Sequence, residues 1–337
     1  YLVIGRISDA GGGAFRVEYE AFDVAKQAPI VSGAFNGRES ELRSVAHRIA
    51  DAVYEKIFGI PGAFWTRIAY ITAKGTGANI EYALMVADSD GYNPQLVVRS
   101  REPLLSPTWS PDGRRLAYVS FERGNSAIYI QELATGSREV VSASPGINGA
   151  PAFSPDGSRL AVSLSKSGNP EIYILDLASR QTNQITRHWG IDTEPQWMPD
   201  GRSLVFTSDR AGKPQIYQVP AGGGEPSRLT AQGEYNARVS VAWDGKKFAM
   251  VQGSGNVYRI AVLDRSSGGA NDYRMVSPGR MDESPSFAPN ASMLIYASRE
   301  GGRGVLYSVS ADGRVRQRLV LADGDVREPS WSPYRQR

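Results

Sequence analysis

The sequence has 337 residues, of which 41% are hydrophobic and 22% charged, with a formal net charge of +3. That length and apolar content suit a large all-β domain joined to a small one, and they exclude a disordered chain. No run of five or more Lys/Arg marks a nucleic-acid patch, no cysteine is present for a disulfide or a thiolate metal site, and no apolar stretch approaches the ~18 residues that cross a bilayer.

In chain order, Val3 to Ile7 reads as a strand and Gly11, Gly12 and Gly13 as a turn. Phe15, Val17 and Tyr19 then alternate with polar residues, as in a half-buried strand. A helix follows, because Leu42, Val45, Ile49, Val53 and Ile57 recur at helical spacing with Ala46 and Ala50 beside them. Asn36, with Glu39 three positions on, is its expected N-cap and capping box, and Gly59 and Pro61 its expected end. Residues 1–63 are therefore read as the C-terminal part of a small α/β domain. The chain opens directly in a strand, so further elements of that domain, and any targeting sequence, are expected upstream.

From residue 64 a repeat dominates. Pro107, Trp109, Pro111, Asp112 and Gly113 recur as Pro151, Phe153, Pro155, Asp156 and Gly157, then as Pro195, Trp197, Pro199, Asp200 and Gly201, with the Asp-Gly pairs 44 residues apart. A fourth copy keeps Asp244 and Gly245 but has Val239 and Trp243 where the prolines stood. The fifth is Pro285, Phe287, Pro289 and Asn290, shifted by two, and the sixth is Pro329, Trp331 and Pro333. Each repeat holds four strand-like segments with the Asp-Gly turn between the first two, which is the pattern of a propeller blade. Three strands around Ile68–Ile71, Tyr82–Val86 and Gln95–Val98 lack a Pro-x-aromatic strand in front of them, and residues 329–333 are that strand without partners. One blade built from both ends closes the ring and removes two open sheet edges. The expected fold is mainly β: a six-bladed β-propeller over 64–337, preceded by the partial small α/β domain. Trp109, Phe153, Trp197, Phe287 and Trp331 recur once per blade and are expected to pack between blades.

Catalytic signatures are missing. The two histidines, His47 and His188, lie 141 positions apart, and no Gly-x-Ser-x-Gly elbow accompanies them. Asp88, Asp90 and Gly91 begin like a calcium loop, but the twelfth position is Arg99 and not Glu. Gly222–Gly224 and Gly301–Gly302 lie between strands with no helix following to hold a phosphate. No catalytic residue, metal ligand or cofactor is assigned.

The residues resemble one family. The helix carrying His47, Asp51, Tyr54 and Lys56 runs into Gly62, Phe64, Thr66, Arg67, Ile68 and Tyr70, and this junction is similar to that of TolB proteins of the Tol–Pal envelope system. The Ser-Pro-Asp-Gly repeats are similar too, although other propellers share them. The resemblance implies a non-catalytic periplasmic scaffold that binds the peptidoglycan-associated lipoprotein Pal on the propeller mouth. It also implies engagement of TolA through an N-terminal segment that this chain lacks, support of outer-membrane integrity and cell division, and exploitation by some colicins during import. The protein is expected to act as a monomer, without nucleic acid or direct membrane insertion.

Partner contacts are expected where function sits on a rigid scaffold, in the loops that end at Ser106, Ala150, Glu194, Arg238, Ser284 and Glu328 before each innermost strand. The resemblance implies Asn148, Gly149, Ala150, Thr193 and Glu194 for the Pal surface. Propeller geometry extends the set to Asp192, Asp282, Glu283 and Glu328, and His188, beside Trp189, is a further candidate. The carboxylates read equally well as turn caps or solvated side chains, and an acidic mouth leaves room for a cation in the channel. Two other readings remain open at this level: the substrate-gating propeller of a prolyl-oligopeptidase-like peptidase, and a glycan-binding propeller with Tyr235 as its main exposed aromatic.

Overall fold

A computed structural model describes residues 1–266, 272–321 and 324–336, and divides the chain into two compact units, Tyr1–Thr66 and Arg67–Arg337. The first unit is a three-stranded antiparallel sheet, Leu2–Gly11, Ala14–Asp23 and Ala28–Arg38, followed by the helix Leu42–Phe58. Its core is small: Tyr19, Ala21 and Val53 are buried, with Val31, Phe35, Ile49 and Ile57 packed against them.

The third strand is a correction to the expected helix start. Asn36 does not cap the helix; it lies in Ala28–Arg38, opposite Arg16. Glycines let this strand run on. Gly33 faces Tyr19, and a Cβ there would sit 2.9 Å from the Tyr19 ring. The turn into the helix is held by Glu41, whose carboxylate accepts the Arg38 N–H at 2.8 Å. The helix ends where expected, with Gly59 left-handed at φ 72° and its N–H bonded to the Glu55 carbonyl at 2.8 Å.

The second unit consists, among the described residues, of six four-stranded antiparallel sheets. Five are continuous in sequence. The sixth joins Asp325–Trp331 to Arg67–Lys74, Glu81–Asp88 and Gln95–Ser100, so the C-terminal strand completes a blade begun some 250 residues earlier. The seam is closed by the Ser332 N–H to the Arg67 carbonyl at 2.8 Å and by the Arg67 N–H to the Ser332 hydroxyl at 2.9 Å. The cores lie between successive blades. Tyr70, Tyr118, Val162, Phe206, Met250 and Tyr296 hold the same place in the second strand of each blade and are fully buried, with Val162, Phe206 and Met250 each contributing about 1.5–3 kcal/mol of burial.

The once-per-blade aromatics also bridge blades. The Trp109 indole donates to the Ser330 carbonyl at 3.0 Å, and Trp197 to Ala152 at 3.1 Å. Arginines from the preceding blade cover the rings: Arg67 over Trp109 at 4.9 Å, Arg115 over Phe153 at 5.5 Å and Arg159 over Trp197 at 4.7 Å. At the Asp112 and Asp156 turns serine hydroxyls bond the carboxylates, and those of Ser154 and Ser158 hold the Asp156 carboxyl down at about 2.

Candidate functional site

The innermost strands begin earlier than the Pro-x-aromatic motif indicates. They run Leu104–Trp109, Asn148–Phe153, Asp192–Trp197, Tyr235–Val241, Glu283–Phe287 and Asp325–Trp331. Most of the segments read as mouth loops are therefore strand. The pairing in every one of them breaks at the same point, as between Gly149 and Ala152 or between Thr193 and Gln196. The residue at the break has a left-handed backbone: Ser106, Ala150, Glu194, Arg238, Ser284 and Glu328 all have φ between 46° and 55°. Such a conformation costs about 1–2 kcal/mol in a non-glycine residue, and here it recurs in every blade. A β-bulge at each position turns these residues toward the propeller axis. They line one channel of about 140 Å³ together with Thr108, Gln196 and the adjoining prolines.

Arg238 occupies this channel. Its Nε lies 2.8 Å from Glu194 Oε1 and its Nη2 3.3 Å from Glu328 Oε1, while Nη1 donates to the Ser284 hydroxyl. Its backbone N–H also donates to Glu194 Oε2 at 3.0 Å, and that oxygen accepts from Thr207 as well. Glu328 accepts the Ser106 N–H of the neighbouring blade. Burial works against the Arg238 charge, but Glu328 and Glu194 outweigh it and raise its pKa above the usual guanidinium value. The acidic channel expected from sequence is thus occupied by an internal cation. Among the described residues, no group of three His, Cys, Asp or Glu side chains is placed to hold a metal ion.

The other expected residues divide sharply. Asn148, Asp192 and Asp282 are fully buried, and their side chains brace the mouth through internal bonds. Asn148 accepts from Ser142 at 2.7 Å and from the Ser144 N–H at 2.9 Å. Asp282 accepts from the Gly279 N–H at 2.9 Å and from Ser298 at 2.6 Å. Asp192 Oδ2 pairs with Arg210 at 2.7 Å. His188 organises its loop: its Nδ1 accepts the Gly190 N–H at 2.9 Å, its own N–H donates to Glu171 at 2.6 Å, and its ring lies 5.0 Å from Trp189. Thr193 shares a hydrogen bond with Ser163 at 3.2 Å. Gly149 and Ala150 are partly open, and Glu283 is exposed.

Sequence reasoning missed two features. The first is Arg238 as the centre of the channel; its signal is the 44-, 44-, 44-, 46- and 44-residue spacing from Ser106 through Ala150, Glu194, Arg238 and Ser284 to Glu328. The second is Glu171, buried beside Asp192. Burial, followed by the neighbouring Asp192, pushes the Glu171 carboxyl up, against the hydrogen bonds from His188 and Thr186. In the next blade Gln215, Asn236 and Thr230 stand 44 residues on in the same places, with Asn236 Nδ2 donating to Gln215 Oε1 at 2.9 Å.

The family model of the TolB beta propeller domain matches residues 54–335. The chain belongs to the TolB family. It is 73% identical over 335 residues to the Tol-Pal system protein TolB of Xanthomonas campestris pv. campestris (strain B100), covering 99% of this chain and 76% of that protein. The Tol-Pal system protein TolB of Xanthomonas oryzae pv. oryzae (strain PXO99A) matches with the same identity and coverage. The crystal structure of TolB from Acinetobacter baumannii superposes with a TM-score of 0.91 at 45% identity, over 98% of this chain and 82% of that one. As a TolB protein the chain is a non-catalytic component of the Tol-Pal envelope system, and the peptidase-gate reading is set aside. Among the described residues no helix is long and apolar enough to cross a membrane.

Proposed function

We propose that this TolB chain acts in the periplasm as a monomeric docking scaffold whose propeller mouth binds the lipoprotein Pal, in support of outer-membrane integrity and cell division. The observation that carries the reading is the six-fold bulge ring. It holds Ala150 with its small side chain at the channel entrance, and partly open Thr193 and exposed Glu283 lie on the same side. A partner's backbone can approach Ala150 closely, and the braced strands beneath do not have to reorganise. Contact with TolA belongs, in this reading, to a segment outside this chain, and colicin translocation segments would compete for the same mouth.

The test is a calorimetric titration with the soluble domain of Pal from the same organism, beside an Ala150→Trp variant. Binding by the parent and a loss of at least ~100-fold in the variant supports the reading, because an indole at φ 46° would fill the channel entrance. Equal binding by both moves the site off this face. A glycan reading has little to stand on: Tyr235 is half-buried, edge-on against Tyr258 with ring centroids 5.4 Å apart.

A further inference from the structure

Four consecutive blades start their inner strands with the same device. Asn148, Asp192, Asn236 and Asp282 follow one another at 44, 44 and 46 residues, and all are fully buried. Three of them tie down their own entry loop: Asn148 through Ser144, Asn236 through the Gln232 carbonyl at 2.8 Å, and Asp282 through the Gly279 N–H. Asp192 is anchored by Arg210. The residue just before each points the other way. Ile147, Ile191 and Met281 are 51%, 47% and 55% exposed, and Tyr235 is half-buried. Trp189, 75% exposed, stands two positions before Ile191 on the loop that Asn169 and Glu171 brace.

Strand alternation obliges the residue before a buried one to face solvent, but it does not oblige that residue to be apolar. Exposed or half-buried apolar side chains thus recur in one register of four successive blades, a regularity that singly scattered surface residues lack. The same side carries Arg187 and Arg280 in loops and Arg299 and Arg303 at the ends of the paired strands Met293–Glu300 and Arg303–Ser310, all exposed and none with an ion-pair partner among the described residues. Of the carboxylates nearby in sequence, Glu234 is engaged with Lys213, Glu300 with Arg318 and Asp325 with Arg327, while exposed Glu283 lies three positions from Arg280.

We infer that this rim seats an acidic segment of the docking protein, with apolar side chains against Trp189, Ile191 and Met281 and carboxylates against the four unpaired arginines. The inference rests on the mouth being a protein-docking face. A basic segment would leave the guanidiniums facing like charge.

The experiment uses the whole chain, the soluble domain of Pal, and two fluorescein-labelled nonapeptides, one alternating Leu with Glu and the other Leu with Lys. Trp189→Ala and Ile191→Ser are expected to weaken Pal binding at least ~10-fold with unchanged melting temperature, because both side chains are surface-exposed. Arg299→Glu combined with Arg303→Glu is expected to slow association and flatten its dependence on salt. The acidic peptide is expected to bind the parent, more weakly as salt rises, and not the Trp189→Ala variant. If the rim variants bind Pal like the parent while Ala150→Trp does not, the mouth reading stands and the rim inference falls. If the parent does not bind Pal, the mouth reading fails and the peptides decide alone. Equal binding of the two peptides, or a preference for the lysine one, overturns the inference.

Discussion

Replacing Arg238 with alanine would remove the guanidinium that bridges Glu194 and Glu328 across the channel. Breaking a buried ion pair by removing one partner costs about 3–5 kcal/mol, because the remaining charge stays desolvated. The two carboxylates here retain 25% and 11% side-chain exposure. Water therefore reaches them in part, and the expected loss is about 2–3 kcal/mol. For a unit of this size, each kcal/mol shifts the melting temperature by roughly 2–4 °C, so the propeller transition is expected to fall by about 4–12 °C in calorimetry at pH 7. Arg238→Lys keeps the charge but loses the fork that contacts Glu194, Ser284 and Glu328 together, and is expected to fall between the two. If Arg238→Ala melted within 1 °C of the parent at pH 7, the claim that this residue neutralises the channel would be refuted.

Glu171→Gln places at this position the side chain that stands at Gln215 one blade later, where its Oε1 accepts from Asn236. The Glu171 carboxyl is raised in the folded protein, so its stabilising contribution is complete below the ordinary glutamate value and is lost as pH rises through the folded one. The variant is expected to remove that loss, so that its advantage over the parent in urea denaturation is larger at pH 8 than at pH 5; an identical pH slope in the two proteins would count against the raised carboxyl. Gly62→Ala would place a Cβ 2.4 Å from Asp51 Oδ1 and 2.6 Å from its Cα. That clash disturbs the carboxylate that accepts the Phe64 N–H at 2.8 Å and the Trp65 N–H at 3.1 Å. A cost of about 1–3 kcal/mol is expected, read by hydrogen exchange as faster amide opening in Leu42–Phe58, while exchange in the propeller strands stays as in the parent.

Much of the fold could be read before any coordinates. The 44-residue spacing of Asp112, Asp156, Asp200 and Asp244 counts the blades, and the unpaired motif at Pro329 and Trp331 announces the closing strand, because each blade must bury the same faces against its neighbours. The aromatics were legible for the same reason. The third strand of the small unit was not, since Pro29, Gly33 and Gly37 interrupt its pattern, and the reason for Gly33 lies in Tyr19 across the sheet. Nor were strand starts legible, because Asn148, Asp192 and Asp282 are polar residues of the kind that usually mark loops, and only their hydrogen-bonded burial shows them to be braces.

The sequence alone determined what repeats: blade number, turn chemistry, interblade aromatics and the likeness to TolB. The tertiary structure alone decided what converges. Glu194 and Glu328 lie 44 and 90 residues from Arg238, on three different blades, and nothing in any one repeat says that their side chains meet. A repeat records the contacts each blade makes with its immediate neighbours. The channel is set by the bulged backbone of six strands and by closure of the ring, which brings side chains from distant blades within hydrogen-bonding distance of one another.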